Sequence, residues 1–301
     1  MSVASFVPKL WAAGLEVPYQ KSLVYADPAI AATKFQPMLA NSGNSVEITT
    51  IGTGVTRTHD RTVPLTYDDV ATTSATLTMD QEEYYGFKVN DVDKAQTAGE
   101  FQSQATAQHG IAMANKVDTY LAGLLQAGAG KKIGNVGVFD GAEYYRPQGA
   151  QATAWDAIRM IVKELDKVSA PSVDRWAVVG ANFASALLAD RRVTEADKAG
   201  TDTVARSGQI ATLSQLGISI KVSNNVPTVA GREVITAGVP GALQFASQLR
   251  TMEALRDQTG FNDLIRGLQV FGGVVARKEG VVSLEADVTA GLAIYSDPEA
   301  P

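Results

Sequence analysis

Cysteine is absent from the 301 residues, and only two histidines occur. Without cysteine there are no disulfide staples and no thiolate metal sites, a composition that fits assembly in a reducing cytoplasm. Neither His59 nor His109 has a His, Cys or Glu at ligand spacing, so no zinc site is expected. The same scarcity removes most Ser–His and Cys–His triads. There is no G-x-S-x-G elbow, no Asp-Thr-Gly and no H-E-x-x-H. Long apolar runs are also missing: the longest, from Ala177 to Ala189, is interrupted by Gly180, Asn182 and Ser185, which argues against a membrane partner. No positively charged segment leads an apolar one in SVASFVPKLW, so no leader peptide is expected. Excess positive charge is lacking too. A net charge of −6 argues against gripping nucleic-acid phosphates, though not against enclosing nucleic acid.

What is present is enough for a real core. Hydrophobic residues make up 45% of the chain and charged residues 19%, the balance of a globular protein, with Ala and Val doing much of the filling. The length allows one large domain or two to three smaller ones.

Pro8, Pro18, Pro28 and Pro37 punctuate residues 1–43. Proline removes donors and restricts its predecessor, which predicts an extended arm with short helical pieces near Leu10 to Leu15. Phe6, Trp11 and Leu15 in that arm need a surface to dock on. Val46 and Ile48 then alternate with Glu47 and Thr49, and Ala75, Leu77 and Met79 with Thr76 and Thr78. These two period-two strands predict a long hairpin. Its polar tip carries Arg57, His59, Asp60, Arg61, Asp68 and Asp69. A solvated loop would explain them, but the flanking strands are too long for an idle loop. The tip is therefore expected to reach another subunit, with Arg57 and Arg61 pairing to acids there.

Asp93 with Gln96 has capping-box spacing, predicting a helix to about Gln126 that stops at Gly128 and Gly130. Met113, Val117, Leu121 and Leu124 stripe its second half; Phe101, Ala105 and Ala112 cover the first half thinly. A second helix is expected over 154–168, carrying Trp155, Ile158, Ile161, Val162 and Leu165 and closed by Pro171. A strand at 176–179, a helix at 183–190 and alternation at Ile218, Ile220 and Val222 suggest a compact α/β lobe. Two β runs, 268–276 and 281–286, flank a turn at 277–280.

Several motifs carry less than they promise. Gly128-Ala129-Gly130-Lys131-Lys132 fails phosphate-loop spacing, because Leu125 stands where the first glycine belongs and Lys132 where Ser or Thr belongs. A helix cap followed by a loop is the expectation. Asp80, Glu82, Glu83, Asp91 and Asp93 lack the glycine turn of a calcium loop and read as a solvated strand end plus a helix cap. A weak cation site there stays open. No catalytic, cofactor-binding or metal-binding residue is nominated, and an enzyme is not expected.

Read together, Phe6 to Trp11, Gly43 to Ile51, Leu77 to Gln96 with its FKVNDVD centre, Trp176 to Arg192, Gly217 to Asn224 and Arg256 to Gly273 run in order. The chain thus resembles the tailed-phage major capsid protein family of the Hong Kong 97-type fold, within it the Salmonella phage-type coat proteins. The resemblance implies an α+β fold divided into an N-terminal arm (1–43), an extended hairpin loop (44–80), a discontinuous peripheral domain on a long spine helix (81–174 and 232–295), an axial domain (175–231) and a tail (296–301). It implies a virion protein, assembled in the host cytoplasm, whose hexamers and pentamers close an icosahedral head. That head encloses double-stranded DNA without sequence-specific binding. Partners would be a separate scaffolding protein, a portal protein and an optional decoration protein. Some members weld neighbours through a hairpin-loop lysine and an asparagine; here no lysine occurs between Lys34 and Lys88, so a non-covalent shell is expected. Two competing readings are a cellular nanocompartment shell of the same fold and a soluble hydrolase using an unrecognised carboxylate pair.

Overall fold

The computed structural model describes residues 24–41, 44–52, 54–59, 67–90, 100–139, 152–194, 212–213, 215–260 and 262–288. In chain order the elements begin with β1 (Ala31–Ala32), α1 (Gln36–Asn41), β2 (Ser45–Ile51), β3 (Thr72–Thr78), β4 (Gln81–Asn90) and α2 (Glu100–Gly128). β5 (Lys131–Phe139), β6 (Ala152–Thr153), α3 (Ala154–Lys167), β7 (Arg175–Val179), α4 (Ala181–Ala189) and α5 (Arg191–Thr194) follow. The rest is β8 (Thr212–Leu213), β9 (Ile218–Val222), β10 (Thr228–Val229), β11 (Arg232–Gly238), β12 (Leu243–Arg256), β13 (Asn262–Val275) and β14 (Val281–Asp287). The architecture is α+β.

The largest sheet runs β6-β5-β14-β11-β7-β9-β8, with β10 beside β11. One face is covered by α3 and α4, whose Trp155, Ile158, Ile161, Leu165, Phe183 and Leu187 pack on Ala177, Val179, Ile235 and Leu284. α3 starts well because Thr153 and Asp156 make a capping box, satisfying two otherwise orphan N–H groups. The opposite face packs on the spine helix α2 through Trp176, Val178 and Val281 against Val117, Leu121 and Leu125. Alternate residues of β7 thus serve two cores, and all five are buried. Each large side chain so buried contributes about 1.5–3 kcal/mol. Arg175, buried at the start of β7, is satisfied by the carbonyls of Ala170 and Pro171 (2.8 Å each) and by Asp166 (2.7 Å), which ties the end of α3 to the sheet.

A second sheet, β1-β12-β13-β4, lies on the other flank of α2. Tyr85, Val89 and Ile265 face Met113 of the helix, and His109 stacks on Phe87 with ring centroids 4.8 Å apart. His109 is thus a packing residue. Residues 24–41 of the expected arm are built into the body, with Tyr25, Ile30 and Ala31 fully buried.

The three longest of the strands that were not expected are β4, β12 and β5. The run 81–90, read as a strand end and cap, is the ten-residue β4 paired with β13 from Gln81↔Phe271 to Asn90↔Asn262. Its signal is the alternation of Tyr85, Phe87 and Val89. β12 pairs with β13 over its whole length. The loop expected after Gly130 is β5, parallel to β14. The glycine is required there: a side chain at Gly130 would meet the Lys278 carbonyl at 2.4 Å, whereas its own N–H donates to that carbonyl at 2.8 Å. The strands of the expected 175–231 lobe are real, but their sheet continues through β11, β14 and β5 from outside that segment. Asp91, Asp93 and the start of the expected long helix fall outside the described residues.

Candidate functional site

The hairpin β2–β3 pairs antiparallel, as expected, in the register Ser45↔Thr78 through Ile51↔Thr72. Only its base is held. Leu77 and Met79 pack with Leu39 of α1 and with Ala246 and Val270 of the second sheet. There the chain crosses β13 so closely that a side chain at Gly272 would lie 1.9 Å from the Thr78 carbonyl. Beyond Ile48 and Ala75 the ribbon has no cover from the described residues of its own chain. Ile51, Val55 and Val70 are 69–71% exposed and Tyr67 is 89% exposed. A two-stranded ribbon alone is marginal in water.

Of the tip residues expected to reach a neighbour, Arg57, His59, Asp68 and Asp69 are described and exposed. Arg57 donates from Nη2 to Asp68 Oδ1 at 2.7 Å, so a carboxylate partner lies within its own hairpin. Asp60 and Arg61, and the arm residues Phe6, Trp11 and Leu15, lie outside the described residues.

A second surface was not anticipated. The face of β4, β13 and β12 turned away from α2 carries a groove of about 440 Å³ lined by Tyr84, Gly86, Glu253, Arg266, Gly267 and Leu268. Arg266 donates to Glu253 at 2.6 Å across it. Past the groove, the β12–β13 tip is pinned by Asp257. It accepts from the Thr259 N–H (2.9 Å) and hydroxyl (2.8 Å) and from Asn262 (3.1 Å), and pairs with Lys88 (3.2 Å). Those donors, the Thr259 N–H foremost, hold its carboxyl far below the usual carboxylate range. The signal for this tip was the D-x-T-G turn at Asp257.

The acids weighed as a cation site have other work. Asp80 accepts from the Tyr120 hydroxyl at 3.3 Å, and Glu83 faces Lys116 at 3.8 Å. Among the described residues no three His, Asp or Glu side chains gather as a metal site. Another polar cluster joins Arg192 to Asp190 (2.8 Å), to the Thr153 hydroxyl (2.6 Å) and to Asp156 (3.5 Å), with its guanidinium over Trp155. It fastens α5 to the start of α3, as a buried ion pair must be fastened to offset desolvation.

Comparisons agree with a surface-building role. The model of the phage capsid protein family matches residues 74–284. The structure from Mycobacterium phage Che8 is 31% identical, with 87% of this chain and 90% of that chain covered at a TM-score of 0.67. The capsid of cyanophage P-SCSP1u is 17% identical, covering 88% of each chain at a TM-score of 0.64. The virus-like particle from Pyrococcus furiosus shares the fold at 12% identity, with 91% of this chain and 96% of that chain covered and a TM-score of 0.57. No curated protein matches the chain.

Proposed function

The chain belongs to the phage capsid protein family, and on that premise we propose that its shells are icosahedral heads of hexamers and pentamers closed around double-stranded DNA. The role is structural and not enzymatic: a major capsid protein of a bacteriophage. The observation that carries the assembly reading is the hairpin, which leaves Ile51, Val55, Tyr67 and Val70 in water unless another copy covers them.

In this reading the fold is of the Hong Kong 97 type and the Salmonella phage-type branch. The hairpin is the intersubunit hand, through Arg57, His59, Asp60, Arg61, Asp68 and Asp69. Phe6, Trp11 and Leu15 dock the arm. A separate scaffolding protein guides assembly in the host cytoplasm, a portal occupies one vertex, and a decoration protein is an optional reinforcement. The negative charge of the chain suits enclosure of DNA without a grip on its phosphates.

Negative-stain microscopy and sedimentation of the purified chain, with and without its scaffold, test the reading. Closed shells or ring-shaped capsomers are expected. A well-folded monomer at high concentration with scaffold present would overturn it. The missing hairpin lysine adds a second outcome: particles boiled in detergent should release one band near 31.7 kDa. A ladder surviving reductant would show covalent welding.

A further inference from the structure

The outward face of α3 is basic, in a chain whose net charge is −6. Arg159, Lys163 and Lys167 recur at every fourth residue, which sets them on one stripe about 6 Å apart along the axis. All three are exposed, while Ile158, Ile161 and Leu165 hold the opposite side on the sheet. Beside the stripe lies an open groove of about 730 Å³, bounded by the turn before β7 and the residues leading into β9. Its floor includes the half-buried Val162 and Leu216. The acid among its described lining residues, Asp166, is closed on the buried Arg175 at 2.7 Å. Arg159 leans on Asp156 (3.4 Å) and Lys167 on Glu164 (2.6 Å), yet more than half of each basic side chain stays in water. Lys131 and Lys163 act on Glu164 as well, so positive charge remains in surplus along the rim.

The hairpin carries the counterpart. Tyr67-Asp68-Asp69-Val70 sets two exposed acids between two exposed apolar side chains. No Lys or Arg stands between Arg61 and Lys88 to offset them. Arg57 occupies Asp68 Oδ1, and Asp69 stands in water beside it. We propose that the α3 groove of one copy receives residues 67–70 of a second copy. Tyr67 and Val70 then cover the floor at Val162 and Leu216, and the two acids face Lys163 and its neighbours on the stripe. The apolar contact supplies the burial, and the charges set register and reject mismatched surfaces. The inference names the receiving surface of the hairpin and so rests on the hairpin being the intersubunit hand.

The groove on the second sheet makes a poorer seat for this segment. Its lining sets one cation, Arg266, against one acid, Glu253, and the two are closed on each other at 2.6 Å. Lys88 beside it is paired with Asp257. Two more carboxylates brought there would meet an already balanced surface, whereas the α3 groove is lined by four basic side chains against one acid.

Zero-length carbodiimide cross-linking of wild-type particles, read by peptide mass spectrometry, tests this without any variant. Amide links from Lys163 or Lys167 to Asp68 or Asp69 are expected, and particles mixed from isotopically light and heavy chains should show them between copies. Links from these two acids to other lysines alone would overturn the groove as their seat. Charge exchange gives a second readout. Lys163→Glu with Lys167→Glu, and separately Asp68→Lys with Asp69→Lys, should each raise the critical concentration for shells by about tenfold or more. All four changes in one chain should bring it back toward wild type, and no recovery would count against the pairing. If the tip variant fails to assemble while the groove variant assembles like wild type, the inference falls and the hairpin keeps its contact role. If the groove variant forms normal shells but loses bound DNA, the stripe belongs to a polyanion and the inference is again overturned. A wild-type chain that never leaves the monomer would instead sink the assembly reading beneath it.

Discussion

β7 and β3 differ in what their own chain offers them. In β7 all five residues are buried, because α2 covers one face of its sheet and α3 with α4 cover the other. In β3 only Leu77 is buried, and four of the seven residues are exposed. Both strands are hydrogen-bonded, so pairing is not the difference; cover is. A strand sequence such as TTSATLT, small and β-branched, makes only a marginal ribbon without a core on it, and the described residues of the chain supply one at its base alone. The body therefore carries the stability of the subunit, while the hairpin leaves Ile51, Val55, Tyr67 and Val70 exposed.

The sharpest break of that comparison is removal of residues 53–72, the tip. The body should fold as before, since charged and exposed tip residues contribute little to a core. Its thermal midpoint should stay within a few degrees, and shells should be lost in sedimentation and microscopy. Normal shell yields would remove the contact role from the tip.

Next in size is Gly272→Val, which attacks the join between the two regions. Any Cβ there meets the Thr78 carbonyl at 1.9 Å and Met79 Cα at 2.8 Å, both backbone. The hairpin base must be displaced, at a cost of about 3 kcal/mol from overpacking. Urea unfolding of the unassembled subunit reads this directly. An unchanged midpoint would mean the hairpin base moves aside freely.

How much of this was legible follows the same division. The two hairpin strands, the α2 stripe of Val117 and Leu121, and α3 with its Trp155 face were readable because apolar periodicity reports burial within the chain. β12 was not. LQFASQLRTMEALR is rich in Leu, Ala, Gln, Met, Glu and Arg, all good helix formers, and it is a strand because β13 pairs with it from Leu243↔Val275 to Arg256↔Asp263. β5 was hidden by Gly134 and Gly137 and by a parallel partner, β14, far along the sequence. The outer groove could not be seen because its lining comes from three strands, two of them unread.

A smaller effect sharpens the contrast from the body's side. Gly123 stands inside α2, and a Cβ there meets nothing within 4 Å. Gly123→Ala should stabilise the subunit by about 1 kcal/mol, the helix-propensity difference. The urea midpoint measures it. A drop instead would mean that the helix bends at this glycine.

The smallest effect on the subunit is expected at the tip charges, from Arg57→Glu combined with Arg61→Glu. Arg57 and Asp68 are paired at 2.7 Å, yet their side chains are 54% and 46% exposed. An exposed pair of this kind contributes about 0–1 kcal/mol, and added salt screens it further. Reversal at Arg57 also places acid beside Asp68, a repulsion that water weakens in the same way. Unfolding of the unassembled subunit should therefore move by less than about 1 kcal/mol. Assembly should respond more, because a charge lost from an interface leaves its opposite number desolvated and unpaired. The critical concentration for shells should rise, and raising the salt should narrow the gap from wild type. A variant that assembles like wild type at low salt would confine Arg57 to its own hairpin, with the exposed Ile51, Val55, Tyr67 and Val70 left as the contact.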